Sequence, residues 1–324
     1  MKALRTLVAV LGLATAVASA TAAPLYSVYK DIEQGFDAEA YRIRLPPLQQ
    51  LPEGPKVVSL AFASGECGAE HWAWRDAQRF AQANLPALAE AGWRYIVSTG
   101  GEVGVFTCGS AAGMQRFIER YQGPGLVGFD FDIEGKQTAA QIDDIVRHAA
   151  AAQKRWPGLV FSFTLATNAG SDKQRLGLNK TGDLVMKALR RHRFDSAVIN
   201  LMVMNYGPAS PQLCLPRAEG GCDMGRSGLQ AARNLRQRYG VPFQRIALTA
   251  MIGVNNVAEN VFTLTDARTL AREVQAAGLQ GVHYWSLDRD TPCAMPTAEP
   301  HCSSITTGAA LDFARALAQG LAGR

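Results

Sequence analysis

The stretch Gly128-Phe129-Asp130-Phe131-Asp132-Ile133-Glu134-Gly135 alternates three acids with three large apolar residues. A period of two predicts a β-strand with two unlike faces. Phe129, Phe131 and Ile133 share one face, and Asp130, Asp132 and Glu134 share the other. Leu126 and Val127 precede the stretch, so the strand reads as central. Carboxylates on alternate positions stand about 6–7 Å apart at the usual strand rise. They repel one another and resist desolvation, which stability alone would not select. Three readings are open at this point: a solvated strand face, an oxygen-rich site for a divalent cation, or acid/base chemistry on a sugar-like substrate.

The segments around it decide the architecture. Apolar runs at 57–63, 95–98, 160–167, 198–206, 246–252 and 281–287 read as further strands, with one more near 26–32. Between them lie helical patterns at 77–92, 111–121, 138–155, 182–191, 227–239, 264–277 and 307–321. Phe80, Leu85 and Leu88 in the first of these recur at helical spacing, and Gly92 closes it. Strands alternating with helices predict a parallel sheet. Eight β/α units in about 300 residues fit a single-domain (β/α)8 TIM barrel better than a doubly wound sheet. The glycine-rich turn of a dinucleotide-binding unit does not follow an early strand. In a barrel the phenylalanine face covers outer helices while the acids point inward, which argues sharply against the solvated-face reading. Active sites lie at the C-terminal strand ends, so Glu134 should stand nearest the substrate, with Asp132 one layer below and Asp130 deeper.

Composition bounds the rest. The 324 residues are 48% hydrophobic and 19% charged, enough to bury a large core. A net charge of +5 without a long basic run gives no case for nucleic acid. Residues 1–23 read as a secretory signal: Lys2 and Arg5, an apolar run over 7–17, then small residues suited to cleavage. No later stretch is apolar enough for a membrane helix. The mature chain, 24–324, is therefore expected to be secreted or periplasmic, away from membranes, and monomeric. Six cysteines agree with an oxidising compartment. Cys67 and Cys108 follow the second and third strands, into neighbouring loops. Cys214 and Cys222 share the loop after the sixth strand, and Cys293 and Cys302 the loop after the eighth. The expected pairs are 67–108, 214–222 and 293–302.

Asp130-Phe131-Asp132-Ile133-Glu134 resembles the Asp-x-Asp-x-Glu core on the fourth strand of the family 18 glycoside hydrolases, the chitinase family. Only Gly128 remains of the Asp-Gly that often precedes it. Ser98-Thr99-Gly100-Gly101 is similar to that family's third-strand Ser-x-Gly-Gly, Met204-Asn205-Tyr206 to its sixth-strand Met-x-Tyr, and Trp285 to its eighth-strand tryptophan. The segments 251–256 and 285–290 resemble a bacterial subgroup. One departure is the lack of an acid beside the tyrosine: Asn205 and Gly207 flank it.

The resemblance implies hydrolysis of β-1,4-linked N-acetylglucosamine chains, without cofactor or metal ion. It makes Glu134 the acid, and the sugar's own acetamide oxygen the nucleophile. Asp132 would orient the acetamide, and Asp130 would share a proton with Asp132. Tyr206 would hydrogen-bond the acetamide oxygen, and Trp285 would floor the sugar. Asn205, Met204, Met251, Gly100 and Gly101 join the substrate-binding set, although packing or a tight strand exit would also account for the methionines and glycines. Trp72 and Trp74 either extend a sugar cleft or fill a loop core. Two further activities share these motifs: an endo-β-N-acetylglucosaminidase acting on N-glycans, and a chitin-binding lectin without turnover. With the final helix running almost to Arg324, no separate chitin-binding module is expected.

Overall fold

The computed structural model describes residues 23–51, 53–172 and 177–323. Except for Ala23, the expected signal segment lies outside the described residues. Eight parallel strands form the barrel: β1 (Leu25–Asp31), β2 (Val57–Glu66), β3 (Arg94–Gly100), β4 (Leu126–Asp132), β5 (Val160–Ala166), β6 (Val198–Met202), β7 (Ile246–Met251) and β8 (Gly281–Trp285). Each pairs with its sequence neighbours, and β1 closes the ring by pairing with both β8 and β2. The (β/α)8 reading of the strands therefore holds.

Among the described residues, seven helices cover the ring: α1 (Ala77–Glu90), α2 (Ala111–Arg120), α3 (Ala139–Arg155), α4 (Lys180–Arg191), α5 (Met224–Tyr239), α6 (Leu264–Ala277) and α7 (Asp312–Leu321). One follows each strand from β2 to β8. The expected eighth unit is incomplete, because the described residues between β1 and β2 hold only a three-residue 3-10 turn at Leu48–Gln50. Pro46, Pro47, Pro52 and Pro55 lie in that segment, and proline both removes a backbone donor and clashes within a helix. Elsewhere the ends are set by local chemistry. Thr138 and Gln141 form a capping box that starts α3. Gly240 and Gly278 close α5 and α6 in the left-handed conformation.

The two faces of β4 separate as its period predicts. Phe129 and Phe131 are buried against Phe106, Phe117, Phe161 and Phe163, on the helix side. Asp130 and Asp132 point into the barrel, where Ser98, Ser162, Thr164, Asn200 and Thr249 form a polar interior. All three expected disulfides form: Cys67–Cys108, Cys214–Cys222 and Cys293–Cys302. They tie loops beyond the C-terminal ends of β2, β3, β6 and β8. Among the described residues, no helix is long and apolar enough to cross a membrane.

Candidate active site

A cavity of about 330 Å³ opens at the C-terminal mouth of the barrel. Asp132, the last residue of β4, and Glu134, two residues beyond it, form one wall. Tyr29, Phe62 and Trp285 supply aromatic surface from β1, β2 and β8. Trp285 stacks on Phe62, with ring centroids 5.4 Å apart and planes 15° from parallel. Met204 and Asn205, just past β6, and Met251 at the end of β7 line the opposite side.

The three acids occupy three different environments. Asp130 is saturated with donors. Its Oδ2 accepts from Ser98 Oγ at 2.7 Å and Tyr29 OH at 3.0 Å; its Oδ1 accepts from Ser162 Oγ at 2.6 Å and Thr164 Oγ1 at 2.8 Å. Asn200 extends this network to Tyr29, Thr164 and Thr249. Burial raises the Asp130 pKa, and the four hydroxyls draw it back.

Asp132 has no such set. It is buried, and its Oδ1 meets no hydrogen-bond partner among the described residues. Burial holds its pKa well above the usual carboxylate range, and the nearby charges of Glu134 and Asp130 add to the shift. Glu134 is pushed up to about 7, first by burial and then by the carboxylate of Glu102, with Lys136 opposing. A carboxylic acid that keeps its proton near neutrality can act as a general acid. Near it stands a second acid whose Oδ1 accepts from no donor among the described residues. The pair can donate a proton at one atom and accept a hydrogen bond at the other.

No family model matches the chain. Individual relatives do. Endochitinase 11 of Metarhizium anisopliae is 28% identical over 278 residues, covering 78% of this chain and 51% of that protein. A probable bifunctional chitinase/lysozyme of Escherichia coli K12 is 29% identical over 235 residues, covering 66% and 25%. The chain thus spans about half the length of one curated relative and a quarter of the other. The catalytic domain of a hyperthermophilic chitinase from Pyrococcus furiosus superposes with a TM-score of 0.71 at 23% identity, over 94% of this chain and 97% of that one. The chain is chitinase-like. Its resemblance to family 18 stands on sequence, and its barrel matches a chitinase catalytic domain in fold.

Within this chitinase-like frame the motif residues divide. Asp132, Glu134, Met204, Asn205, Met251 and Trp285 meet in the cavity. Tyr206 does not line it. Its side chain is buried, its hydroxyl lacks a partner among the described residues, and burial raises its pKa. The reason is local. Strand β6 ends at Met202, and Asn205 adopts a φ of 52°, turning the chain so that Asn205 occupies the cavity wall. Asn255 and Val257 fix that turn: the Asn205 N–H donates to Asn255 Oδ1, and the Val257 N–H donates to Asn205 Oδ1.

The charge of Asp130 is among the causes that raise the Asp132 pKa, so the two acids interact along the strand. Gly100 and Gly101 shape the site from behind. A Cβ on Gly100 would lie 2.2 Å from the Asp132 carbonyl oxygen, and one on Gly101 would lie 2.7 Å from the Phe62 ring. Both have positive φ, so the double glycine is a close-packed strand exit. Tyr29, Phe62, Thr164 and Glu102 are site residues that the motifs did not include. The serine, threonine and asparagine positions of β3, β5 and β6 were readable from inward strand periodicity. Glu102, in an irregular loop, carried no such signal.

Proposed function

We propose that the protein is an exported chitinase that hydrolyses β-1,4-linked N-acetylglucosamine chains, with the substrate's acetamide as nucleophile. The observation that carries this reading is the Glu134–Asp132 pair: a carboxyl at the cavity wall whose pKa burial pushes up to about 7, and a buried carboxyl whose Oδ1 lacks a partner among the described residues. The curated relatives are named as chitinases, and chito-oligosaccharides accompany one similar Pyrococcus furiosus structure.

Glu134 gives its proton to the glycosidic oxygen as the bond to the anomeric carbon breaks. The acetamide oxygen attacks that carbon from the opposite face and closes a cationic five-membered ring. Asp132 accepts the acetamide N–H through Oδ1, and the positive charge that develops on the ring favours its ionised form against the burial that raises its pKa. Glu134, now ionised, takes a proton from water as the water opens the ring. Two inversions give net retention, and Glu134 regains its proton. Asn205, which lines the cavity, is a further candidate for the acetamide contact beside Tyr206. Trp285 presents its ring to the apolar sugar face. Asp130 acts through the fold, holding the hydroxyls beneath Asp132. Residues 1–23 as an export signal and three disulfides support a secreted or periplasmic location.

Turnover of an N-acetylglucosamine hexamer tests the activity. Glu134→Gln should lower kcat on it by at least about 100-fold, the low end for general acid catalysis, while circular dichroism shows a retained fold. Cleavage of a high-mannose glycoprotein with the hexamer untouched would transfer the site to N-glycans. Binding of the hexamer without cleavage by the unaltered protein would make it a lectin. Near wild-type turnover by Glu134→Gln would remove Glu134 from the acid role.

A further inference from the structure

A second groove, of about 570 Å³, runs on from the catalytic cavity across the ends of β1, β2 and β3. The two share Phe62, Glu102 and Trp285, so a polymer seated on Trp285 has a continuous path into it. Trp74 stands in this groove, 90% exposed. It belongs to a two-residue turn joining the short antiparallel segments His71–Trp72 and Arg75–Asp76. Ala73 and Trp74 have φ of 46° and 66°, a turn geometry that favours asparagine and glycine. A bulky residue there pays in backbone strain for a side chain held in solvent, and such outliers gather at ligand sites.

The neighbouring tryptophan behaves oppositely. Trp72 is fully buried, stacks on Phe80 at 4.3 Å and donates its indole N–H to Tyr121 OH at 2.8 Å. It anchors the turn, while Trp74 stacks on His71 with centroids 4.7 Å apart and forms a flat outward platform.

The groove also has a charge. Asp31, Glu33 and Glu102 line it; His71, beneath Trp74, is the basic side chain among its lining residues, and no lysine or arginine lines it. The carboxylates of Glu33 and Glu102 are exposed and carry no ion pair among the described residues. A neutral N-acetylglucosamine unit gains nothing from three like charges. A unit whose amine is free and protonated does.

We propose that this groove is a distal subsite for glucosamine, so that the protein prefers partly deacetylated chitin: an acetylated unit at the catalytic cavity and a cationic unit over Trp74. This rests on the chitinase reading above. The apolar sugar face lies on the Trp74 platform, and the ammonium group meets the carboxylates of Glu33 and Glu102.

The test separates this subsite from the activity. Binding is measured by calorimetry on full-length protein carrying Glu134→Gln, at about pH 5.5, where amines hold their proton. The probes are the fully acetylated hexamer and two hexamers with a single glucosamine, one at each end. One of the two isomers should bind about three- to tenfold more tightly than the acetylated hexamer at low salt, the scale of a few exposed charge contacts. That advantage should vanish when Glu33→Gln and Glu102→Gln are added, and at high salt. No advantage for either isomer, or one that survives the two substitutions, overturns the subsite. If the preference holds while unaltered protein fails to cleave any hexamer, the chitinase reading fails and the glucosamine subsite stands.

Discussion

Asp130 and Asp132 are two residues apart on one strand, both buried, both facing the barrel axis. Their surroundings could hardly differ more. Asp130 receives four hydroxyls, whereas Asp132 leaves Oδ1 without a partner among the described residues. The lower carboxylate is therefore tied into the barrel interior, and on the proposed mechanism the upper one receives the donor that the described residues do not supply. On the proposed mechanism, a stripe of like residues changes from scaffold to chemistry within one layer.

Alanine at each position breaks the comparison most sharply. Asp132→Ala should lower kcat by about 100-fold or more, the scale of losing one preorganised electrostatic contact. It should leave denaturant stability undiminished. The sign follows from the raised pKa of Asp132. Above about pH 4 the unfolded chain ionises this acid and the folded chain resists, so the acid favours unfolding there. Removing it relieves that penalty above about pH 4 and does nothing below. Asp130→Ala should instead lower stability by about 1–3 kcal/mol, because buried hydroxyls lose their acceptor. Urea titrations of the two variants, with hexamer kinetics, check both signs. Equal destabilisation at the two positions would erase the distinction.

A smaller effect sharpens the upper layer. Glu134 must be protonated to act, so kcat/KM should fall as pH rises through about 7. Glu102 lines the same cavity and contributes to holding that value up. Glu102→Gln should move the alkaline limb to lower pH by roughly a few tenths of a unit, as expected for a charge acting partly through water. Lys136→Gln should move it the other way. A pH–rate profile reads both, and a limb that ignores both substitutions would detach it from Glu134.

The regular parts of the molecule were legible in the sequence because period two and period 3.6 are strong signals. Strand β4, its two faces, the barrel and the three cysteine pairs follow from spacing and order. The sequence is less legible where periodicity stops. Tyr206 enters the candidate set through the Met-x-Tyr resemblance, while strand β6 ends at Met202 and Asn205 turns left-handed. On a pleated strand, one such turn exchanges which neighbour faces the ligand. Glu102 and Trp74 sit in irregular loops, so their placement depends on the Gly100–Gly101 exit and the strained Ala73–Trp74 turn. Trp72 and Trp74 read alike in sequence and divide into core and surface only through tertiary packing.

The central claim is that the acetamide of the substrate, with Asp132 beneath it, is the nucleophile. Anomer-resolved NMR of the first product tests it most directly, using the acetylated hexamer beside a fully deacetylated one. The account predicts a β-anomer from the acetylated hexamer and no turnover of the deacetylated chain. An α-anomer, or efficient cleavage of the deacetylated chain, would contradict it.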